Sequence, residues 1–190
     1  MIPERPLSLA SRSPQRRAIL EQLGFAFTVV ESGYVERELP DLTPAEVAVE
    51  HARGKVAEVA GIDRVLGVDT VVDVDGSLLG KPSDEAEAAA MLGRLGGRTH
   101  LVHSGICLRV AGAAHARLAS TEVTFRPLGD GDIAWYVATG EWRGRAGGYA
   151  VQGKGAALVT RIAGDYSNVV GLPVAALLDL LGETEQAVHC

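Results

Sequence analysis

One aspartate lies inside an otherwise apolar, β-branched stretch of the chain. Residues 67–72 read GVDTVV, a run typical of a buried strand, with Asp69 in it. A buried carboxylate is costly unless it is paired, hydrogen-bonded or bound to a metal. Because side chains alternate along a strand, Asp69 shares a face with Asp73 while Thr70 points to the other side. Asp69 is therefore a candidate catalytic group, and the alternative is a carboxylate at a strand end that faces water.

A second candidate site combines hydroxyls and cations at the start of a predicted helix. Residues 11–17 read SRSPQRR, in which Ser13 suits the N-cap and the proline suits the first helical position. Two arginines in the first turn oppose the helix dipole, and an anion would relieve that conflict. Free helix amides, the Ser11 and Ser13 hydroxyls and the guanidinium groups together suit a phosphate. On this interpretation Arg16 serves the anion rather than the fold; the alternative is a capped surface helix whose arginines pair with acidic neighbours.

Two lysines stand close to these segments. Lys81 lies between a glycine and a proline just after a predicted hairpin, which would present its side chain. Lys55 lies beside the apolar stripe of a predicted helix. Each is also consistent with an ordinary surface lysine, whose aliphatic stem covers apolar surface while the ammonium reaches water.

Residues 141–155 (EWRGRAGGYAVQGKG) are dense in glycine, so their backbone amides could face a ligand. Gln152 in this segment offers a donor and an acceptor, which suits the edge of a nucleotide base. The alternative is an irregular surface loop, because the sequence contains no phosphate-loop or dinucleotide fingerprint. The histidines, His51 among them, are isolated or lie on opposite strand faces, and we interpret them as structural.

The elements that must position these groups alternate between strand-like and helix-like stretches, which predicts an α/β protein with a largely central sheet. Strands are predicted over residues 7–11, 25–30, 65–74, 77–79, 99–110, 117–126, 149–151 and 156–162. Helices are predicted over residues 14–23, 44–60, 84–95, 130–138 and 172–181, the second capped by Thr43 and the third by Ser83.

The composition excludes several classes of protein. The chain has 190 residues, enough for one compact domain or two small lobes, and its 47% hydrophobic and 22% charged residues are typical of a globular protein. A net charge of −6 has the wrong sign for a protein that grips long nucleic acid, so an anionic ligand must be small. No uncharged apolar run approaches the roughly 18 residues that span a bilayer. The sequence predicts a soluble, cytoplasmic protein.

Taken together, these segments resemble the Maf family, the septum-formation-type nucleoside triphosphate pyrophosphatases. The resemblance runs from Leu9 to about Leu181 and is closest to the branch that prefers dTTP and UTP. Six motifs in the family's order carry it: LASRSP at 9–14, GVDTVV at 67–72, GKP at 80–82, GRTH at 97–100, AGGY at 146–149 and VVGLP at 169–173.

The resemblance implies a single Maf-like domain over residues 1–190. Its fold would be a mixed, twisted central sheet flanked by helices, with two lobes around a deep nucleotide-binding cleft, as in ITPase-like proteins. The implied reaction is hydrolysis of a nucleoside triphosphate to its monophosphate and pyrophosphate, with a divalent cation, Mg²⁺ or Mn²⁺, as cofactor. Family members are often homodimers, and neither long nucleic acid nor a membrane would be a partner.

The family pattern also implies roles for individual residues. Asp69 matches the catalytic carboxylate, the proton acceptor for the attacking water. The other polar positions that handle phosphates and metal are Ser11, Arg16, Glu36, Lys55 and Lys81. The two lysines are assigned to catalysis together with Asp69. Glu36 and Asp69 are assigned as metal ligands. The positions that tune the choice of base are Gln15, Thr70 and Gln152.

The chain departs from the dTTP/UTP branch at two places. The residue after Ser13-Pro14 is usually arginine but here is Gln15, and the usual Asp-Lys before the AGGY motif is replaced by Gly144-Arg145, which keeps the positive charge and loses a carboxylate. Three alternatives stay open at this point: a Maf-type enzyme of different base specificity, such as one acting on 7-methyl-GTP, a phosphatase that releases orthophosphate, and a nucleotide-binding regulator of cell division without turnover.

Overall fold

The structure is a computed structural model that describes residues 5–188, with side chains described through Thr184. The ends of the predicted domain, residues 1–4 and 189–190, lie outside this range. The strands are β1 (Leu7–Leu9), β2 (Phe27–Val29), β3 (Val65–Val74), β4 (Ser77–Leu79), β5 (Thr99–Val110), β6 (Ala113–Phe125) and β7 (Val159–Ala163). The α-helices are α1 (Pro14–Gln22), α2 (Pro44–Ala57), α3 (Glu85–Leu95), α4 (Asp130–Ala138), α5 (Tyr166–Val170) and α6 (Val174–Val188), and 3₁₀ turns cover Ala146–Gly148 and Lys154–Leu158.

All the strands described here belong to one mixed sheet. The strand order is β2-β1-β3-β5-β6-β7, and β4 pairs with the far end of β3. Strand β1 runs parallel to both β2 and β3, whereas the remaining pairs are antiparallel. This mixed sheet with flanking helices confirms the predicted α/β class. No helix within residues 5–188 has both the length and the apolar character needed to cross a membrane.

Several predicted elements match the structure where local chemistry specifies them. Strand β3 and helix α4 have the predicted bounds. The Thr43 capping box is present, since the Thr43 side chain accepts from the Glu46 amide and the Glu46 carboxylate accepts from the Thr43 amide. Asp75 and Gly76 both have positive φ, as a tight hairpin between β3 and β4 requires.

Other predicted elements were wrong. Residues 149–151 form no strand, and the short helix α5 was not predicted. Helix α3 is capped by Asp84, whose carboxylate accepts from the Glu87 amide at 2.8 Å, while Ser83 instead donates to the Glu87 side chain. Strand β6 begins at Ala113 rather than at residue 117, because residues 111–112 make a two-residue turn with positive φ.

Helix α2 lies unusually close to the sheet because two glycines face it. A Cβ atom on Gly105 of β5 would lie 2.1 Å from the Ala48 carbonyl oxygen, and one on Gly67 of β3 would lie 2.5 Å from the Ala52 carbonyl oxygen. Backbone therefore packs on backbone at these points. The consequence is that polar side chains of α2 can reach the middle of β3.

Strand β3 is shared by the apolar clusters of the core. Val72 belongs to a cluster built with α3, α4 and Tyr149, whereas Leu66 belongs to a cluster built with β1, α1 and α6. Val65 packs in a third, smaller cluster beneath α2. The polar centre of β3 lies between these clusters, which hold it in place from several sides.

Candidate active site

A cleft of about 710 Å³ opens beside the centre of β3. It is lined by segments that are far apart in the sequence, from the start of α1 to the turn between α5 and α6. Every residue that the sequence singled out for the site lines it: Ser11, Gln15, Arg16, Glu36, Lys55, Asp69, Thr70, Lys81 and Gln152. The geometry therefore brings the candidate residues together, and their individual roles stay predictions.

Asp69 lies at the floor of this cleft and is only 6% exposed. Its Oδ1 is 2.6 Å from the Lys55 ammonium, and its Oδ2 is 3.4 Å from Nδ1 of His51. The alternative of a strand-end carboxylate facing water was wrong. Burial is the largest influence and would raise the pKa of Asp69, but His51, Lys55 and Arg16 together outweigh it and lower that pKa to about 2. Asp69 is therefore ionised at neutral pH.

Lys55 connects the two acidic residues of the cleft. Its Nζ lies 2.8 Å from Oε1 of Glu36 as well as 2.6 Å from Asp69, and it donates to the Val68 carbonyl oxygen at 3.3 Å. With a side chain only 11% exposed, Lys55 is not a solvated surface lysine. Lys81 is different, because its side chain is 57% exposed and its Nζ approaches Glu36 only to 3.9 Å. One lysine is thus held by the site, and the other is free to meet a ligand.

His51 is a member of this cluster that the sequence analysis missed. Its Nε2 lies 3.1 Å from the Arg37 carbonyl oxygen, and its Nδ1 faces Asp69. A carbonyl and an ionised carboxylate only accept, so a neutral ring can donate to one of them and a doubly protonated ring to both. The contact with Asp69 is the main reason that the pKa of His51 is raised. The signal was available, because His51 and Lys55 are four residues apart and so share a helix face.

Glu36, His51 and Asp69 each offer one ligand atom, and these atoms lie within 4.8 Å of one another. The two carboxylates suit a hard divalent cation such as Mg²⁺ or Mn²⁺, which prefers oxygen ligands and keeps some of its water. His51 can bind a metal only as a neutral ring, and the contact with Asp69 favours the protonated ring, which has no free lone pair. The donor set that fits a metal is therefore Glu36 and Asp69, and Lys55 already lies between them.

Arg16 is tied into the fold by neutral partners. It is 8% exposed, and it donates to the Gly171 carbonyl oxygen at 2.8 Å, the Ser11 hydroxyl at 2.9 Å and the Thr70 hydroxyl at 3.2 Å. Burial lowers the pKa of this guanidinium, and the charges of Asp69 and Glu36 act in the opposite direction. The expectation that Arg16 serves only an anion was therefore incomplete, because it also joins α1 to β3 and to the turn after α5.

Two glutamine side chains also line the cleft. Gln15 is half-buried, and its Oε1 accepts from the Ser13 hydroxyl at 3.2 Å. Its NH₂ group is therefore the part of the side chain that can donate to a ligand. Gln152 is exposed and lines the same cleft. Gln152 belongs to the glycine-rich segment 141–155. This segment is anchored next to the end of β4 by Gly147, whose amide donates to the Gly80 carbonyl oxygen at 2.9 Å.

Comparison with known proteins agrees with this geometry. The family model described as Maf-like protein matches residues 6–184. A dTTP/UTP pyrophosphatase of Thermus thermophilus is 48% identical over 93% of this chain and 93% of its own length. Proteins of the same name from Pelotomaculum thermopropionicum and Pyrococcus furiosus are 45% and 41% identical, each over 93% of this chain and over 95% and 94% of their own lengths.

Among solved structures, the Staphylococcus aureus Ham1 protein superposes with a TM-score of 0.43 at 15% identity, over 64% of this chain and 72% of that chain. This superposition is too loose to carry weight. The range matched by the family model, in contrast, contains every segment that lines the cleft.

Proposed function

Because this chain belongs to the Maf family, we propose that it is a nucleoside triphosphate pyrophosphatase that hydrolyses dTTP and UTP to the monophosphate and pyrophosphate. The observation that carries the proposal is the buried, ionised Asp69 paired with Lys55 at the floor of a cleft lined by cations and hydroxyls. The names of its relatives supply the substrate class. The reaction breaks the bond between the α and β phosphates.

Asp69 is the proposed base for the attacking water. While the Lys55 ammonium lies 2.6 Å away, this carboxylate is ionised but only weakly basic. A triphosphate in the cleft offers Lys55 a second set of anionic oxygens. Movement of the ammonium from Asp69 towards a phosphate would make the carboxylate more basic at the moment when a water must lose its proton.

The phosphates would be held by groups from two segments. Lys81 is exposed and lines the cleft, and the lining also includes Ser11 and the first residues of α1. The Ser11 hydroxyl and the amide of Gln15 in the first turn would donate to phosphate oxygens. Arg16 is held by its neutral partners so that its charge remains available to an anion. Positioned cations of this kind stabilise the charge that develops on the departing pyrophosphate.

Glu36 and Asp69 are the residues that would hold a Mg²⁺ or Mn²⁺ ion. When bound, such an ion neutralises charge on the leaving pyrophosphate. Because Lys55 lies between the same two carboxylates, its ammonium holds their oxygens close together. Glu36 is 42% exposed, so it can meet an ion that arrives hydrated.

We assign the choice of base to Gln15 and Gln152. The hydroxyl of Thr70, the third residue expected to act on the base, is already engaged by Arg16 and by Ser104 at 2.8 Å. The main role of Thr70 is therefore to position Arg16, whose guanidinium donates to its hydroxyl. An amide NH₂ from Gln15 can donate to a pyrimidine carbonyl, but with less energy than the charged arginine that stands at this position in the dTTP/UTP branch.

The substitution Gln15→Arg tests this assignment. A charged donor contributes roughly 1.5 to 3 kcal/mol and a neutral one about 1, so the variant should raise kcat/KM for dTTP and UTP relative to CTP by about tenfold. The parent should accept CTP comparatively well. Equal ratios in both proteins, or a parent that prefers purines such as 7-methyl-GTP, would contradict the assignment.

The reaction itself is tested with a panel of nucleoside triphosphates and Mg²⁺ or Mn²⁺, with products identified by phosphorus NMR. We expect dTMP or UMP together with pyrophosphate. In water labelled with heavy oxygen, attack at the α phosphorus places the label in the monophosphate. Orthophosphate with a diphosphate would indicate a phosphatase instead, and nucleotide binding without any product would indicate a non-hydrolysing regulator.

The same family membership leads us to propose a cytoplasmic homodimer whose protomer has two lobes around the cleft. Light scattering of the purified protein at several concentrations measures the assembly. A strictly monomeric enzyme with full activity would show that the cleft is complete within one chain.

A further inference from the structure

Arg145 is a cleft-lining arginine whose side chain lacks, among the described residues, the hydrogen-bond and ion-pair partners of its neighbours. It lies in the glycine-rich segment before the 3₁₀ turn Ala146–Gly148. Its Nε is buried and has no hydrogen-bond partner, and its guanidinium makes no ion pair with any residue in the described part of the chain. Burial is the main influence on this group and lowers its pKa.

The other arginines of the cleft are all satisfied. Arg12 pairs with Glu31 at 2.6 Å, and Arg16 has its three neutral acceptors. Arg143, only two residues from Arg145, lies 3.4 Å from Glu85 and 4.3 Å above the ring of Trp142.

Arg145 has an acidic neighbour, but that neighbour is already engaged. Glu141 acts electrostatically on Arg145, yet its Oε2 accepts from the Lys154 amide at 2.7 Å. A guanidinium keeps its charge at all ordinary pH values, and a buried N–H without an acceptor is costly. No hydrogen bond or ion pair within the described residues uses the terminal N–H groups of Arg145, so these groups can donate to a ligand oxygen in the cleft.

The position of Arg145 limits which oxygen this can be. The carboxylates Asp69 and Glu36 act electrostatically on Arg16, whereas Arg145 responds to Tyr136 and Glu141. Ion pairs among the described residues join Asp69 and Glu36 to lysines, and none of them joins either carboxylate to Arg145. Its segment instead adjoins that of Lys81, through the bond from the Gly147 amide to the Gly80 carbonyl oxygen.

We propose that Arg145 binds the pyrophosphate half of the nucleotide, away from the bond that is cut. This inference rests on the proposed function. A phosphate carries full negative charge and accepts two parallel hydrogen bonds from a planar guanidinium, whereas a base carbonyl carries only a partial charge. The unpaired, partly buried charge of Arg145 is therefore matched by a phosphate rather than by the base.

The test compares Arg145→Met with the control Arg143→Met. The control removes the same charge from the same segment, but at a side chain that already has Glu85 and Trp142 as partners. Binding of inorganic pyrophosphate with Mg²⁺, and of dTMP, is measured by calorimetry. We expect Arg145→Met to weaken pyrophosphate binding by about ten- to a hundredfold and to leave dTMP binding unchanged. Arg143→Met should change pyrophosphate binding by less than about threefold, the range of an exposed ion pair.

Two further measurements separate this role from a structural one. Without ligand, Arg145→Met should melt at the same temperature as the parent or higher, because an unsatisfied buried donor is removed. Arg145→Lys keeps the charge but not the paired geometry, so its pyrophosphate affinity should lie between those of the parent and of Arg145→Met.

The proposal is overturned if both methionine variants lose pyrophosphate binding equally, if dTMP binding is lost instead, or if Arg145→Met lowers the melting temperature. If Arg145→Met does not fold, unchanged pyrophosphate affinity in Arg145→Lys overturns it as well. A parent that hydrolyses dTTP and binds pyrophosphate independently of Arg145 refutes this inference alone. A parent that binds pyrophosphate through Arg145 but hydrolyses no nucleotide refutes only the proposed function.

Discussion

At the scale of single residues, the centre of the cleft is a group of ionisable side chains in mutual contact. Asp69 and Glu36 supply two carboxylates, Lys55 supplies an ammonium, and His51 supplies a ring whose pKa is raised by Asp69. Each buried charge is tolerated because its partners are within ion-pair distance, and removal of one member leaves the others uncompensated. Variants that keep shape while removing charge therefore test chemistry with the least damage to the fold.

Asp69→Asn removes the basicity of the proposed catalytic group while keeping its size. We expect kcat for dTTP hydrolysis to fall by about 10²- to 10⁴-fold, the usual contribution of a general base. Asp73→Asn is the matched control, since Asp73 lies on the same face of β3 and contacts His103 at 3.5 Å. A folded Asp69→Asn protein that turns over within about threefold of the parent would show that Asp69 is not the base.

Arg16→Ala should destabilise the free protein. Its loss removes three buried or partly buried hydrogen bonds, to the Gly171 carbonyl oxygen and to the Ser11 and Thr70 hydroxyls, at a cost of about 2 kcal/mol or more in urea unfolding. Arg17→Ala removes the same charge from the next, exposed position and should change stability by less than about 0.5 kcal/mol. Equal stabilities for the two variants would restore the view that Arg16 serves only the ligand.

At the scale of elements, the position of α2 on the sheet decides whether the site forms. The helix carries His51 and Lys55, and Asp69 is on β3 beneath it. Two glycines of the sheet, Gly67 and Gly105, let the helix backbone approach closely enough for these side chains to meet. The site thus depends on the lack of a side chain at Gly67 and Gly105 as well as on the charged side chains of α2 and β3.

Gly105→Ala should push α2 away from the sheet, because the new methyl group would lie 2.1 Å from the Ala48 carbonyl oxygen. We expect a loss of stability of about 1 to 3 kcal/mol, as for other overpacked sites, together with reduced kcat. Gly93→Ala is the control, since its methyl group would meet only Ile133 at 4.0 Å and alanine favours a helix by about 0.5 to 1 kcal/mol over glycine. If the two variants are equally stable and active, close packing of α2 does not position the site.

At the scale of the whole molecule, a buried histidine links the sheet to the glycine-rich segment of the cleft. His100 of β5 is 2% exposed, its Nε2 lies 2.8 Å from the Tyr149 hydroxyl, and its ring packs edge-on against Phe125. Burial lowers the pKa of His100 to about 4. The folded protein therefore keeps the His100 ring neutral. Acid should lower the free energy of unfolding, because protonation of His100 favours the unfolded chain.

The stability of the parent should fall as the pH drops from about 6.5 to about 4, because in that range the unfolded chain binds a proton that folded His100 does not. The total loss should be about 3 kcal/mol in urea unfolding. His51, with its raised pKa, titrates above this range, and Asp69, with its pKa near 2, loses its contribution only below about pH 4.

The variant His100→Gln has no group that titrates at this position. Its free energy of unfolding should therefore change much less between pH 6.5 and pH 4 than that of the parent. Unfolding by urea at several pH values within the range measures both slopes. Parallel curves for parent and variant would show that His100 is not the group responsible.

Much of the fold followed from local patterns. The β-branched run of β3, the Asp75-Gly76 turn and the Thr43 capping box each specify their own geometry within a few residues. Residues 149–151 were mistaken for a strand because their apolar side chains suit one. In the structure they are buried for another reason, since Tyr149 is held by His100, a residue of a distant strand.

The amino-acid sequence by itself determined most of the chemical groups of the site, since all nine candidates line the cleft and the family motifs are contiguous stretches of chain. Only the tertiary structure decided how their charges pair and added His51 to them. Lys55 meets Asp69 across 14 residues, and Arg16 meets Gly171 across 155, while the Nε of Arg145 has no hydrogen-bond partner among the described residues. The physical reason is that a pattern of residue types acts over one or two turns of chain, whereas an ion pair depends on distances of a few ångströms between elements that only the packed sheet and helices set.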